Sequence, residues 1–180
     1  MEDAARTGAE PRIDDFETDL RADDGLELRV WLRLLTCSTL IEHGVRHGLH
    51  RGFETTLPRF DVLAQLQRAG KPLSMGDLSR RLMVTNGNIT GLVDRLAREG
   101  MVERRRAAGD RRVQMVELTG AGAALFLRMA ADNRRWVTGM MDGLAREEKE
   151  ALFALLGRLK SAVLESGETM EDADEDDQRR

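Results

Sequence analysis

Between Ser74 and Leu118 the apolar periodicity changes once, at Gly100, and that single change limits the chain to few folds. Before it, Met75, Leu78 and Leu82 form the inner face of a short helix that Ser74 caps, with Asp77 three residues on as a weaker form of the capping box. A turn at Val84 leads to Thr85, a second cap, and to a helix reaching Arg98 in which Ile89, Leu92, Val93 and Leu96 recur at i, i+3, i+4 and i+7. Gly100 ends it. Beyond lie two extended-type runs, 101–106 and 113–118, joined by 107–112 with Gly109-Asp110 at the tip, which predicts a hairpin. Short helix, tight turn, second helix and basic hairpin make a winged helix-turn-helix layout.

Long apolar helices flank this lobe. Residues 28–49 carry Leu28, Leu32, Leu35, Leu40, Ile41, Val45 and Leu49, and Trp31 and Leu34 widen the stripe until the helix is apolar nearly all round. Such a helix is buried on more than one side, and a partner subunit is the simple cover. Leu57-Pro58 opens the next helix, with Phe60, Leu63, Ala64 and Leu66 inward and Gly70-Lys71-Pro72 at its end. Thr119 caps a long helix through Leu125, Met129, Trp136, Val137 and Met140. The last, from Leu144 to about Leu164, carries Leu152, Leu155, Leu156, Leu159 and Val163; Ala145 is a poor cap, so its first turn should fray.

The expected fold is mainly α with a small β-hairpin wing: a winged helix-turn-helix lobe plus a helical dimerisation domain. Residues 1–25 read as an acidic disordered tail, 26–56 as a dimerisation helix, 57–118 as the DNA-binding lobe, 119–165 as C-terminal dimerisation helices and 166–180 as a second acidic disordered tail. No internal repeat is present.

Charge is segregated along the chain. The formal net charge is −4, from 28 Lys+Arg against 32 Asp+Glu. Residues 1–27 hold ten acids and three bases, residues 165–180 hold eight acids and two bases, and the body between is +9. A basic body between acidic tails suits a polyanion partner, although a solvated surface with solubilising tails has the same composition. The bases are Arg in 25 cases and Lys in 3, and Arg is the better fork for phosphate and guanine edges. No run of 18 apolar residues predicts a membrane span. The acidic opening segment predicts no signal peptide. Cys37, the one cysteine, makes no internal disulfide, which fits a cytoplasmic protein.

The second helix of the pair would enter a major groove by its N-terminal end. Once its buried stripe is assigned, Thr85, Asn86, Asn88 and Thr90 remain there, with Gly87 and Gly91 interleaved: short hydrogen-bonding groups on a helix that can approach closely. Asn suits the adenine edge, and Thr serves bases, phosphate or the thymine methyl. Arg95 and Arg98 lie further along, within reach of phosphate, and Ser74 heads the bracing helix. The plainer reading makes Thr85 and Asn86 turn and cap residues only. Around the hairpin tip stand Arg104, Arg105, Arg106, Arg111 and Arg112, placed to sense a narrow minor groove; charge that protects an edge strand is the plainer reading there.

The run SMGDLSRRLMVTNGNITGLVDRL from Ser74 to Leu96, the GMVER at 100–104, Gly109-Asp110-Arg111-Arg112 and the ELTGAG at 117–122 resemble the MarR family of bacterial transcription regulators, over roughly 28–164. The resemblance implies a triangular homodimer, with first and last helices interlocked and two winged lobes on successive major grooves of a pseudo-palindrome. It implies that Arg112 is the wing-tip arginine in the minor groove and that Asp110 orients the wing. Ala145 departs from a Ser common at that helix start. The implied function is a DNA-binding repressor released by a small effector.

The segment 28–57 with RLMVTNGN resembles a branch of the family that answers to CoA thioesters of aromatic acids, such as hydroxycinnamoyl-CoA or benzoyl-CoA. Such a ligand needs Arg forks, for which Arg29, Arg33, Arg46 and Arg59 are candidates, and an apolar slot, near which Trp31, Phe60 and Trp136 are placed. The alternative is core aromatics and surface arginines. His43, His47 and His50 share one helix face, which leaves a divalent-metal sensor as a weaker alternative; no metal ligand set and no cofactor is assigned. Cys37, among Leu34, Leu35 and Ile41, reads as a buried inert thiol rather than a redox sensor. No phosphate loop, catalytic triad or carboxylate pair argues for an enzyme. A ligand-free architectural DNA-coating protein is the remaining alternative.

Overall fold

The computed structural model describes residues 25–82, 85–106 and 113–177, the side chains of Asn86 and of 167–177 excepted. The turn at Val84, the tip 107–112 and the N-terminal segment 1–24 lie outside the described residues. Helices α1 (Leu26–Phe53) and α2 (Leu57–Ala69) are followed by β1 (Leu73–Ser74), α3 (Met75–Leu82), α4 (Asn86–Arg98), β2 (Val102–Arg106), β3 (Gln114–Leu118), α5 (Gly120–Met140) and α6 (Arg146–Asp177). The chain is mainly helical with one small antiparallel sheet. It divides into two compact units between Val137 and Thr138, inside α5 rather than at its start.

In the first unit the helix-turn-helix, the sheet and the facing side of α1 and α5 close over one core. Leu49, Val62, Leu63, Leu78, Ile89, Val93, Leu96, Val116 and Met129 are fully buried in it. Burial of one such side chain contributes about 1.5–3 kcal/mol. Phe60 stacks on Phe126 with ring centroids 5.5 Å apart. Val62 was not among the residues expected inside α2, yet it is fully buried, on a helix that packs against β3 as well as α3 and α4.

The two hairpin strands pair antiparallel, with Val102 opposite Leu118 and Arg104 opposite Val116. The sheet has a third strand that sequence periodicity does not announce. Leu73 and Ser74 pair with Val116 and Met115, giving the order β1-β3-β2. Two residues are too few to show alternation, so tertiary pairing alone makes this strand.

The end of α4 is a Schellman turn. Met101 N–H bonds to Leu96 O (2.8 Å), Gly100 N–H to Ala97 O (3.0 Å), and Gly100 takes φ +72°. The Thr119 hydroxyl accepts the Gly122 N–H at 3.0 Å, as its cap role requires, and also donates to the Gly100 carbonyl at 2.7 Å.

Three expectations are corrected. Cys37 is exposed in the single chain, because the apolar core reaches α1 only from Ile41 onward. The missing cap at Ala145 is offset from the other side: Glu148 Oε2 accepts the Ala145 N–H at 2.7 Å. In the second unit α6 continues past Ser166 to Asp177, where acidic composition predicted no structure. Glu, Met and Ala are good helix formers, and propagation from an existing helix avoids the cost of nucleation.

Candidate nucleic-acid interface

Ser74 holds the start of α3 in a reciprocal cap. Its hydroxyl accepts the Asp77 N–H (3.0 Å) and donates to Asp77 Oδ2 (2.7 Å). That hydroxyl bond, helped by Arg80 at 3.3 Å, holds the Asp77 carboxyl below its ordinary range.

Helix α4 turns Ile89, Val93 and Leu96 fully inward. Thr85, Gly87, Asn88, Thr90, Gly91 and Arg95 are exposed on its other side, which is the set singled out from sequence, with Asn86 as the first helical residue. A Cβ at Gly87 or Gly91 would meet nothing within 4 Å, so the backbone there is open to close approach. A shallow cleft of about 410 Å³ lies over this face, between Pro58 and Gly87, Asn88, Gly91, Leu92 and Arg95. Thr85 caps α4 with its backbone only: its carbonyl accepts the Ile89 N–H at 3.2 Å, and its hydroxyl makes no cap bond. The expected side-chain cap is absent, which leaves the hydroxyl on the presented end of the helix.

The wing arginines separate into different roles. Strand alternation puts Arg104 on the same side of β2 as buried Val102, facing α4. There Arg104 Nη2 lies 2.7 Å from Asp94 Oδ1 and 3.5 Å from the Thr90 carbonyl, with its side chain about one quarter exposed. Arg105, on the other side, sits 2.7 Å from both Glu103 Oε1 and Glu117 Oε1. Those two glutamates are directly opposite in the ladder, and Arg105 relieves their repulsion. Its hydrogen bond to Glu103 and the charges of both acids raise the guanidinium pKa further above its ordinary range. Arg106 is exposed at the end of β2. Asp110, Arg111 and Arg112 lie outside the described residues. Asp94 was missed from sequence, although an acid on a helix meant to meet a polyanion is itself a signal that something holds it.

The candidate effector residues do not gather into one slot. Trp31 and Arg29 are exposed on the N-terminal half of α1, where Arg33 also lies. Arg46 pairs with Glu42, and Arg59 pairs across the lobe with Glu99 at the end of α4. Phe60 is buried against Phe126, as core rather than as a slot wall. Trp136 lies flat on Gly48, where a Cβ would come within 2.7 Å of the indole. Asp61 is half-buried, and burial first, then Glu42, raises its carboxyl pKa while Arg46 opposes the rise. Among the described residues no three His, Cys, Asp or Glu side chains converge as a metal site, and His43, His47 and His50 are exposed.

The family model described as MarR family matches residues 53–113. The HTH-type transcriptional repressor YetL of Bacillus subtilis is 33% identical over 149 residues, 79% of this chain and 85% of the relative. The transcriptional activatory protein BadR of Rhodopseudomonas palustris is 36% identical over 131 residues, 70% of this chain and 74% of the relative. A mutant MarR from E. coli solved in complex with operator DNA superposes with a TM-score of 0.64 at 25% identity, covering 76% of this chain and 99% of that one.

Proposed function

The chain belongs to the MarR family of DNA-binding transcriptional regulators, and from that premise we propose that it is a homodimeric repressor of a pseudo-palindromic operator. The observation that carries this is the exposed face of α4, where short polar side chains alternate with two glycines over open space. Nothing in packing calls for that composition; a groove lined with base edges does. Thr85, Asn86, Gly87, Asn88 and Thr90 would read the major groove, Arg95 would address backbone phosphate while Ser74, its hydroxyl proton held by Asp77, would set the start of the bracing helix, and Arg106, Arg111 and Arg112, oriented by Asp110, would reach the neighbouring minor groove. Two copies would address half-sites about one helical turn apart.

The effector in this reading is an aromatic acyl-CoA thioester that prefers one lobe spacing and so releases DNA. Exposed Trp31 and Arg29, with Arg33 one turn on, support it by offering a ring and forks for phosphate on the same helix.

Footprinting of the protein across promoter fragments, with and without benzoyl-CoA and hydroxycinnamoyl-CoA, tests both levels, coupled to transcription in vitro. A discrete protected site and lowered transcript support the repressor. Even coating with no preferred site supports the architectural alternative, and raised transcript overturns repression. Release by the thioester and not by the free acid supports the effector class; equal potency, or none, overturns it.

A further inference from the structure

Arg104 is a conspicuous base of the lobe, and its surroundings argue against the role its charge suggests. It is on β2 and faces α4, its guanidinium spans Asp94 Oδ1 (2.7 Å) and the Thr90 carbonyl (3.5 Å), and its side chain is about three quarters covered. Thr90 and Asp94 are successive residues of one α4 ridge, four apart, on the helix whose leading face presents Asn88 and Gly91. A carboxylate there would repel DNA phosphate unless a cation held it. Arg104 is that cation, and it is the ion pair that joins β2 to α4 directly among the pairs described.

We propose that Arg104 is a positioning residue for DNA recognition, which through Asp94 fixes the angle between the wing strand and α4 and makes no phosphate contact itself. Major-groove and minor-groove elements must fit one duplex at once, so their relative angle enters affinity for the preferred sequence more than affinity for random DNA. The proposal rests on the reading of α4 and the wing as the two DNA elements.

The test uses the full chain, a duplex selected by the wild-type protein from a randomised library, and a random duplex of equal length. Arg104→Gln, Asp94→Asn and the double variant are titrated against both at several salt concentrations. The expected result is a loss of about tenfold on the selected duplex for either single variant, with the double variant no worse. The random duplex is nearly unaffected, the slope of log K against log salt is unchanged, and Arg104→Lys recovers part of the loss by keeping the pair with Asp94. A direct phosphate contact predicts the opposite: Arg104→Gln lowers the slope by about 0.9 and weakens both duplexes alike, while Asp94→Asn tightens both. Either of those results overturns the proposal. Should Arg104→Gln fail to fold, Asp94→Asn and Arg104→Lys still separate the two. A wild-type protein with no selected duplex overturns the reading of α4 as well, whereas a wild type that discriminates beside a variant with a reduced slope overturns only the role of Arg104.

Discussion

A Cβ on Gly122 would lie 1.9 Å from the Met101 carbonyl oxygen. The first turn of α5 therefore rests backbone on backbone against the residue that leads from α4 into β2. The same carbonyl accepts the Thr119 N–H at 3.1 Å, so the start of α5, the end of α4 and the start of β2 are one knot.

Gly122→Ala should accordingly destabilise the fold despite the better helix propensity of Ala. Neither neighbour is a flexible side chain that can yield, and overpacking of this kind costs about 1–3 kcal/mol against a propensity gain of at most about 1. Urea unfolding with an unchanged m-value and a lower midpoint is the expected result; a raised midpoint would show that α5 is free to lift.

Thr119→Ala removes the acceptor for the Gly122 N–H and the donor to the Gly100 carbonyl in one step. The loss should be about 1–2 kcal/mol, at the upper end for a cap. Thr119→Ser, which keeps both bonds, should retain most of the stability. Equal losses for the two variants would assign the effect to the methyl group instead.

Gly91→Ala has opposite effects on the two properties. Nothing lies within 4 Å of the new methyl, so the exposed helix should gain about 0.5–1 kcal/mol. If α4 approaches base edges at this point, the same methyl should weaken binding to a selected duplex by about tenfold, the equivalent of a modest clash. A stabilised protein with unchanged DNA affinity would remove Gly91 from the interface.

These variants also mark what sequence could and could not reveal. The inward faces of α3 and α4 are visible from Leu78, Ile89, Val93 and Leu96, because helical period and burial coincide there. Cap chemistry at Ser74 and Thr119 is equally local and equally legible. Arg104 was not legible: its charge matches that of Arg106, and only the packing of β2 on α4 separates a braced guanidinium from an exposed one. The pairing of Leu73 with Val116 and the tie from Arg59 to Glu99 likewise join residues some forty positions apart, beyond any local pattern.

Asp61 makes stability depend on pH with a sign opposite to that of most carboxylates. Burial, reinforced by Glu42 and opposed by Arg46, raises its pKa above 3.8, so the folded state binds the proton more tightly than the unfolded one. Its favourable contribution is complete below about 3.8 and is lost as pH rises through the raised value. Asp61→Asn should therefore raise the urea midpoint at pH 7, with a gain that shrinks on acidification and vanishes below 3.8. A gain independent of pH would show that shape rather than charge is responsible.

The stripe on α6 makes the strongest demand for a partner. Leu152, Leu155, Leu156, Leu159 and Val163 follow helical spacing, and in the single chain each is between 39% and 61% exposed. A row of large apolar side chains in water forgoes about 25 cal/mol for every Å² left uncovered, and monomers rarely carry such a patch. In the proposed dimer a second copy of the chain would remove the cost and would give each half-site its own lobe. Leu155→Glu combined with Leu159→Glu places charge in the middle of the stripe, at positions already 58% and 41% exposed, so the single chain has little packing to lose. Circular dichroism should stay helical while sedimentation equilibrium moves from dimer to monomer. Binding to a selected duplex should then fall by at least about a hundredfold, because the second lobe no longer benefits from effective concentration. A charged variant that remains dimeric would place the interface elsewhere, and one that turns monomeric yet binds as tightly would mean that a single lobe suffices for recognition.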